Sequence, residues 1–139
     1  MDFSAEYSLD NLHQIGKEII AKAQHQSLLF YGEMGVGKTT LIKSIVQLLE
    51  SNDVVSSPTF SLVNEYHIPK GRIFHFDLYR INNEEEVADI GFEDYFYEET
   101  DWQLIEWPEL IPNLIPEKHT AIYIQLLDSN QRKIDLKNF

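Results

Sequence analysis

The segment Gly32-Glu33-Met34-Gly35-Val36-Gly37-Lys38-Thr39 follows the short apolar run Ser27 to Tyr31 and precedes Thr39 to Leu49, where Leu41, Ile42, Ile45, Val46 and Leu49 share one helical face. It has the form G-x-x-x-x-G-K-[ST], in which glycines let the backbone curl so that successive N–H groups point at phosphate oxygens. In this pattern Lys38 reaches the β and γ phosphates and the Thr39 hydroxyl is a magnesium ligand. The helix that follows adds the positive end of its dipole to the anion site. The motif requires a strand before it and a helix after it, and both patterns are present. The chain is therefore expected to be an α/β protein that binds a nucleoside triphosphate with Mg²⁺ through Gly32, Glu33, Met34, Gly35, Val36, Gly37, Lys38, Thr39 and Thr40.

A chain of 139 residues has room for one domain with a real core but not for a second, substrate-carrying domain, so residues 1–139 are read as a single unit. The N-terminus, Met1 to Asp10, lacks the basic and apolar stretches of a targeting peptide, and no apolar run approaches the roughly 20 residues that cross a bilayer. A cytoplasmic protein without membrane contact is expected. The absence of cysteine rules out disulfides, thiolate metal sites and cysteine nucleophiles. The formal charge of −12 has the wrong sign for direct DNA binding or for gripping any phosphate backbone by counterion release. A P-loop is exempt from that objection, because it binds phosphate through local N–H groups and one lysine.

Apolar residues at Leu9, Leu12, Ile15, Ile19 and Ile20 predict a helix over Leu9 to Ala23 with Ser8 as its N-cap. Phe60 to Ile68 and Arg72 to Leu78 read as strands joined at Pro69-Lys70-Gly71, and Gln103 to Trp107 as another. Asn83 caps a short helix to Ile90 whose first turn carries Glu84, Glu85 and Glu86, anions that suit the positive end of its dipole. Ala121 to Leu127 and Lys133 to Leu136 form a C-terminal β-hairpin across the turn Asp128 to Arg132. The expected architecture is a P-loop NTPase-like mixed sheet flanked by helices.

Hydrolysis also requires an acid at a strand end to hold the metal and a group to orient the attacking water. Asp77 ends the run Ile73 to Phe76, and Glu106 ends Leu104-Ile105; the residues alone leave open which of the two does which task. Ser57-Pro58-Thr59-Phe60 lies where P-loop switch proteins place a γ-phosphate sensor, with Thr59 as the candidate, although such a segment is also an ordinary proline turn. Trp107 directly follows Glu106, so its indole either covers the site or packs beneath the strand, packing being the default for a lone Trp. Arg80 is a weak phosphate candidate, since in so acidic a chain pairing with an acidic neighbour is favoured over it. The five histidines have no metal-ligand spacing and are taken as surface or core residues. The guanine-reading N-K-x-D tetrapeptide is absent, which favours ATP over GTP.

Four separated motifs, GEMGVGKTT (Gly32 to Thr40), SPTFSLVNEY (Ser57 to Tyr66), HFDLYR (His75 to Arg80) and LIEWPE (Leu104 to Glu109), resemble in order and spacing the TsaE family of small bacterial P-loop ATPases. The resemblance implies that Lys38 is the phosphate lysine, Thr39 and Glu106 the magnesium ligands, Asp77 the residue positioning water and Thr59 switch-like. It further implies adenine-side contacts near Leu9 and Arg132. In that family ATP hydrolysis supports threonylcarbamoyl transfer to tRNA adenosine by TsaD and TsaB, so protein partners are expected, with tRNA reached only through them. Glu33 and Val36 stand where Asp and Ala are commoner, and neither removes a chemical group the site needs. Two other readings share the P-loop: a small-metabolite kinase and a nucleotide-gated binding module with little hydrolysis. A kinase usually clamps the transferred phosphoryl group with several arginines, and this chain has only Arg72, Arg80 and Arg132.

Overall fold

A strand covered on both faces must be apolar along its whole length. The strand Ser27–Tyr31 (β2) meets that requirement, with its first four residues buried. Leu28 and Phe30 point into one core and Leu29 into the other. The computed structural model describes residues 2–56 and 62–139. In it β2 lies between the parallel strands Trp102–Glu106 (β5) and Thr120–Leu126 (β6). With Phe3–Ser8 (β1), Val63–Ile68 (β3), Gly71–Asp77 (β4) and Gln131–Asn138 (β7), these form a seven-stranded sheet in the order β1-β7-β6-β2-β5-β4-β3. Strands β4, β5, β2 and β6 run parallel, while β3, β7 and β1 are antiparallel to their neighbours. The sheet is mixed, as expected, and β6–β7 is the expected hairpin.

Helices Leu12–Lys22 (α1) and Lys38–Leu48 (α2) cover one face, where Ile15, Ile19, Leu41, Ile42 and Ile45 meet Leu28, Phe30, Leu104 and Ile122. The other face is closed by the short helix Glu84–Asp89 (α3) and by 3-10 turns at Phe92–Phe96 and Pro108–Leu110, through Val87, Phe92 and Ile111. Asn83 does cap α3, its side chain accepting from the Glu86 N–H at 3.3 Å.

One strand is new and one expectation needs correction. Strand β1 was not anticipated, although Phe3, Ala5 and Tyr7 alternate with polar residues in the two-residue period of a half-buried strand. Helix α1 begins at Leu12, not Leu9. Pairing of Ser8 with Gln131 holds the chain extended to that point, and Leu9–Asn11 then form a 3-10 turn in which both the Ser8 N–H and hydroxyl donate to Asn11 Oδ1 at 2.9 Å. Leu9 is left exposed. Phe60 and the candidate Thr59 lie outside the described residues.

Candidate nucleotide site

The P-loop turns between β2 and α2, at the carboxyl end of the parallel strands, the edge where open α/β sheets bind ligands. Gly35 and Gly37 have φ of 81° and 101°, a left-handed geometry that disfavours residues bearing a Cβ. The loop closes on itself: Val36 N–H donates to the Glu33 carbonyl at 3.2 Å and Leu41 N–H to the Gly37 carbonyl at 3.0 Å. Met34 is exposed at the tip, while Val36 is buried beneath it.

Lys38, the first residue of α2, is only 5% exposed. Its Nζ donates to the Gly32 carbonyl at 2.6 Å and lies 3.4 Å from the centre of the Trp107 ring. Burial pushes the Lys38 ammonium below the ordinary lysine range, opposed by the carboxylates of Glu109, Glu106 and Asp77. A partly desolvated cation attracts an incoming anion more strongly than an exposed one does. Trp107 itself has φ of 62°, a strained conformation for a bulky residue and one that clusters at functional sites. Both placements open to Trp107 meet in the structure: its ring packs against the core of Leu29, Phe76 and Ile105 and also faces the P-loop lysine.

Asp77 and Glu106 are register partners at the ends of β4 and β5, so the two acids that sequence left as alternatives stand side by side. Thr39 Oγ1 donates to Glu106 Oε1 at 2.9 Å. Glu106 Oε2 lies 2.7 Å from His75 Nε2, and His75 Nδ1 lies 3.0 Å from the Tyr66 hydroxyl. Burial, and then the neighbouring Glu106 charge, raise the Asp77 pKa above the usual carboxylate range; the Tyr79 N–H, His75 and Lys38 partly offset this.

The structure thus brings together Gly32 to Thr40, Asp77 and Glu106. Arg132, reached from β7, donates from Nε to the Val36 carbonyl at 3.1 Å and so braces the back of the loop. Leu9 lies just after β1. Arg72 is bound to Asp101 at 3.0 Å, at the opposite end of β4, and Arg80 is exposed. Sequence reading missed His75, Tyr66 and Glu109 as members of the site. All three stand inside the motifs SPTFSLVNEY, HFDLYR and LIEWPE, and His75 lies two residues before Asp77 on the same strand face.

A family model described as "Threonylcarbamoyl adenosine biosynthesis protein TsaE" matches residues 7–134. The chain belongs to the TsaE family. The family's tRNA threonylcarbamoyladenosine biosynthesis protein TsaE from Haemophilus influenzae is 36% identical over 134 residues, covering 94% of this chain and 84% of that protein. The TsaE of Bacillus subtilis is 34% identical over 107 residues, 77% of this chain and 66% of that one. Among solved structures, Bacillus subtilis YdiB superposes with a TM-score of 0.72 at 25% identity, over 96% of this chain and 84% of YdiB. The fold is that of the P-loop NTPases, and TsaE proteins take part in tRNA threonylcarbamoyladenosine biosynthesis. Among the described residues no helix is long and apolar enough to cross a membrane.

Proposed function

We propose that this chain binds ATP with magnesium and hydrolyses it in support of threonylcarbamoyl transfer to tRNA adenosine, acting with TsaD and TsaB homologues. The observation that carries the reading is the 2.9 Å contact of Thr39 with Glu106, directly beside the P-loop lysine. A hydroxyl and a carboxylate are the hard oxygen donors magnesium takes, and magnesium uses only one or two such protein groups while keeping water and phosphate oxygens. The residues therefore fit the ion. When bound, magnesium supplies positive charge against the phosphate oxygens.

The chain's own residues do the rest. The N–H groups around Gly35 and Gly37 cradle the phosphates, and Lys38 releases the Gly32 carbonyl to donate to them. Thr39 and Glu106 hold the metal. Asp77 accepts the proton of the attacking water, a task suited to a carboxylate whose basicity burial has raised. Thr59 serves as the γ-phosphate sensor, and Leu9 and Arg132 border the adenine side.

ATP turnover measured for the chain alone and with TsaD, TsaB and tRNA tests this directly. Lys38→Ala is expected to lose both binding and turnover. Asp77→Ala should keep binding and lose roughly 10²- to 10⁴-fold in turnover. Full turnover by both variants, or no stimulation by the partners, would sink the reading. ADP formed only in the presence of a small acceptor that becomes phosphorylated would establish a kinase instead.

A further inference from the structure

Behind the magnesium acid a line of polar side chains crosses three adjacent strands inside the apolar core. Glu106 on β5 is 3% exposed, His75 on β4 is 0% and Tyr66 on β3 is 3%. Their contacts run Glu106 Oε2 to His75 Nε2 at 2.7 Å, then His75 Nδ1 to the Tyr66 hydroxyl at 3.0 Å. Tyr66 is in turn held at the backbone of Ser56, donating to its carbonyl at 3.2 Å and accepting from its N–H at 3.4 Å.

An ionised Glu106 can only accept, so His75 Nε2 carries the hydrogen that it receives. In the neutral ring Nδ1 is then an acceptor, and the single Tyr66 hydroxyl hydrogen lies between it, at 3.0 Å, and the Ser56 carbonyl, at 3.2 Å. With Thr39 on Oε1 and His75 on Oε2, each oxygen of the Glu106 carboxylate has a donor from a different element. Such an arrangement leaves the carboxylate little rotational freedom. Apolar residues at 66 and 75 would fill the same space without the desolvation that buried polar groups incur, so a purely structural role gives no reason for the line to end at the metal acid.

We propose that His75 and Tyr66 are positioning residues that fix the orientation of the Glu106 carboxylate for magnesium. The proposal rests on the magnesium-ATP reading above. His75 acts on Glu106 directly, and Tyr66 acts through His75 with the Ser56 backbone as its anchor. Groups that orient a metal ligand in this way typically account for about 10- to 100-fold in metal affinity.

The test is binding of a fluorescent ATP analogue, measured by anisotropy in EDTA and across a magnesium titration, for the wild type, His75→Leu, His75→Gln and Tyr66→Phe. His75→Leu is expected to bind the analogue in EDTA as the wild type does but to need about 10- to 100-fold more magnesium for the metal-dependent gain. Tyr66→Phe should shift the requirement in the same direction by a smaller factor, on the order of 3-fold. His75→Gln, whose amide nitrogen can still donate to Glu106, should stay close to wild type.

A magnesium requirement unchanged within about 2-fold in His75→Leu overturns the proposal; should that variant fail to fold by circular dichroism, the same result in Tyr66→Phe does so. Equal losses with and without magnesium mark a structural role and also overturn it. A wild type whose affinity ignores magnesium overturns the metal reading, and this proposal with it. A responsive wild type with unresponsive variants overturns this proposal alone.

Discussion

At the scale of single residues, the acid proposed to handle water is held at a cost to the fold. Asp77 sits beside Glu106, and burial together with that like charge raises its native pKa above the 3.8 of an ordinary aspartate. The native state therefore holds the Asp77 proton more tightly than the unfolded chain. Stability must fall as pH rises from about 3.8 through the native pKa, and the deficit persists above it. Asp77→Asn, measured by thermal melting in EDTA, should melt higher than wild type at pH 7, with the difference narrowing as pH falls toward 3.8; an unchanged or lower melting temperature at pH 7 would contradict it. Lys38 and Thr39 were legible in the sequence because the P-loop is contiguous and its spacing carries its geometry. The Glu106 to His75 to Tyr66 line was not, since its members stand on three strands, 31 and 9 residues apart. Their meeting depends on a register that no local pattern encodes.

At the scale of elements, the parallel core strands and α2 could be read from apolar runs and helical spacing, within a residue or so of their ends. Strand β1 carried its alternating pattern in full view, yet six residues ahead of a helix do not reveal a partner strand at the far end of the chain. That pairing buries Tyr7, whose phenol burial pushes up to about 12 despite the nearby Arg132 charge. Between about pH 10 and about pH 12 the unfolded chain loses this proton while the native state keeps it buried and neutral. Stability should thus drop across that window. Tyr7→Phe should flatten this part of the alkaline unfolding curve, and an identical slope in the variant would show that another group is responsible. Arg132 belongs to the same lesson: it braces Val36 across a separation of 96 residues, beyond the reach of any sequence period.

For the molecule as a whole, a formal charge of −12 makes an independent hold on tRNA unfavourable. In a filter or gel-shift measurement at physiological salt the chain alone should retain no tRNA, and tRNA should appear with it only when the proposed partner proteins are added. Retention by the chain alone would require a basic surface that its composition does not supply. The placement of its two tryptophans on the sheet offers a further handle. Trp102 opens β5 and Trp107 directly follows it, so the indoles mark opposite ends of one strand, about 16 Å apart. Only Trp107 stacks under the Lys38 ammonium. A Trp102→Phe variant would leave a single tryptophan at the P-loop, and its emission, excited at the red edge where tyrosine does not absorb, should change as a phosphate draws the lysine away, whereas the signal of Trp102 in a Trp107→Phe variant should stay constant. Under the proposed ATP reading, the two indoles would then serve as a gauge of nucleotide arrival and an internal reference at opposite ends of one strand.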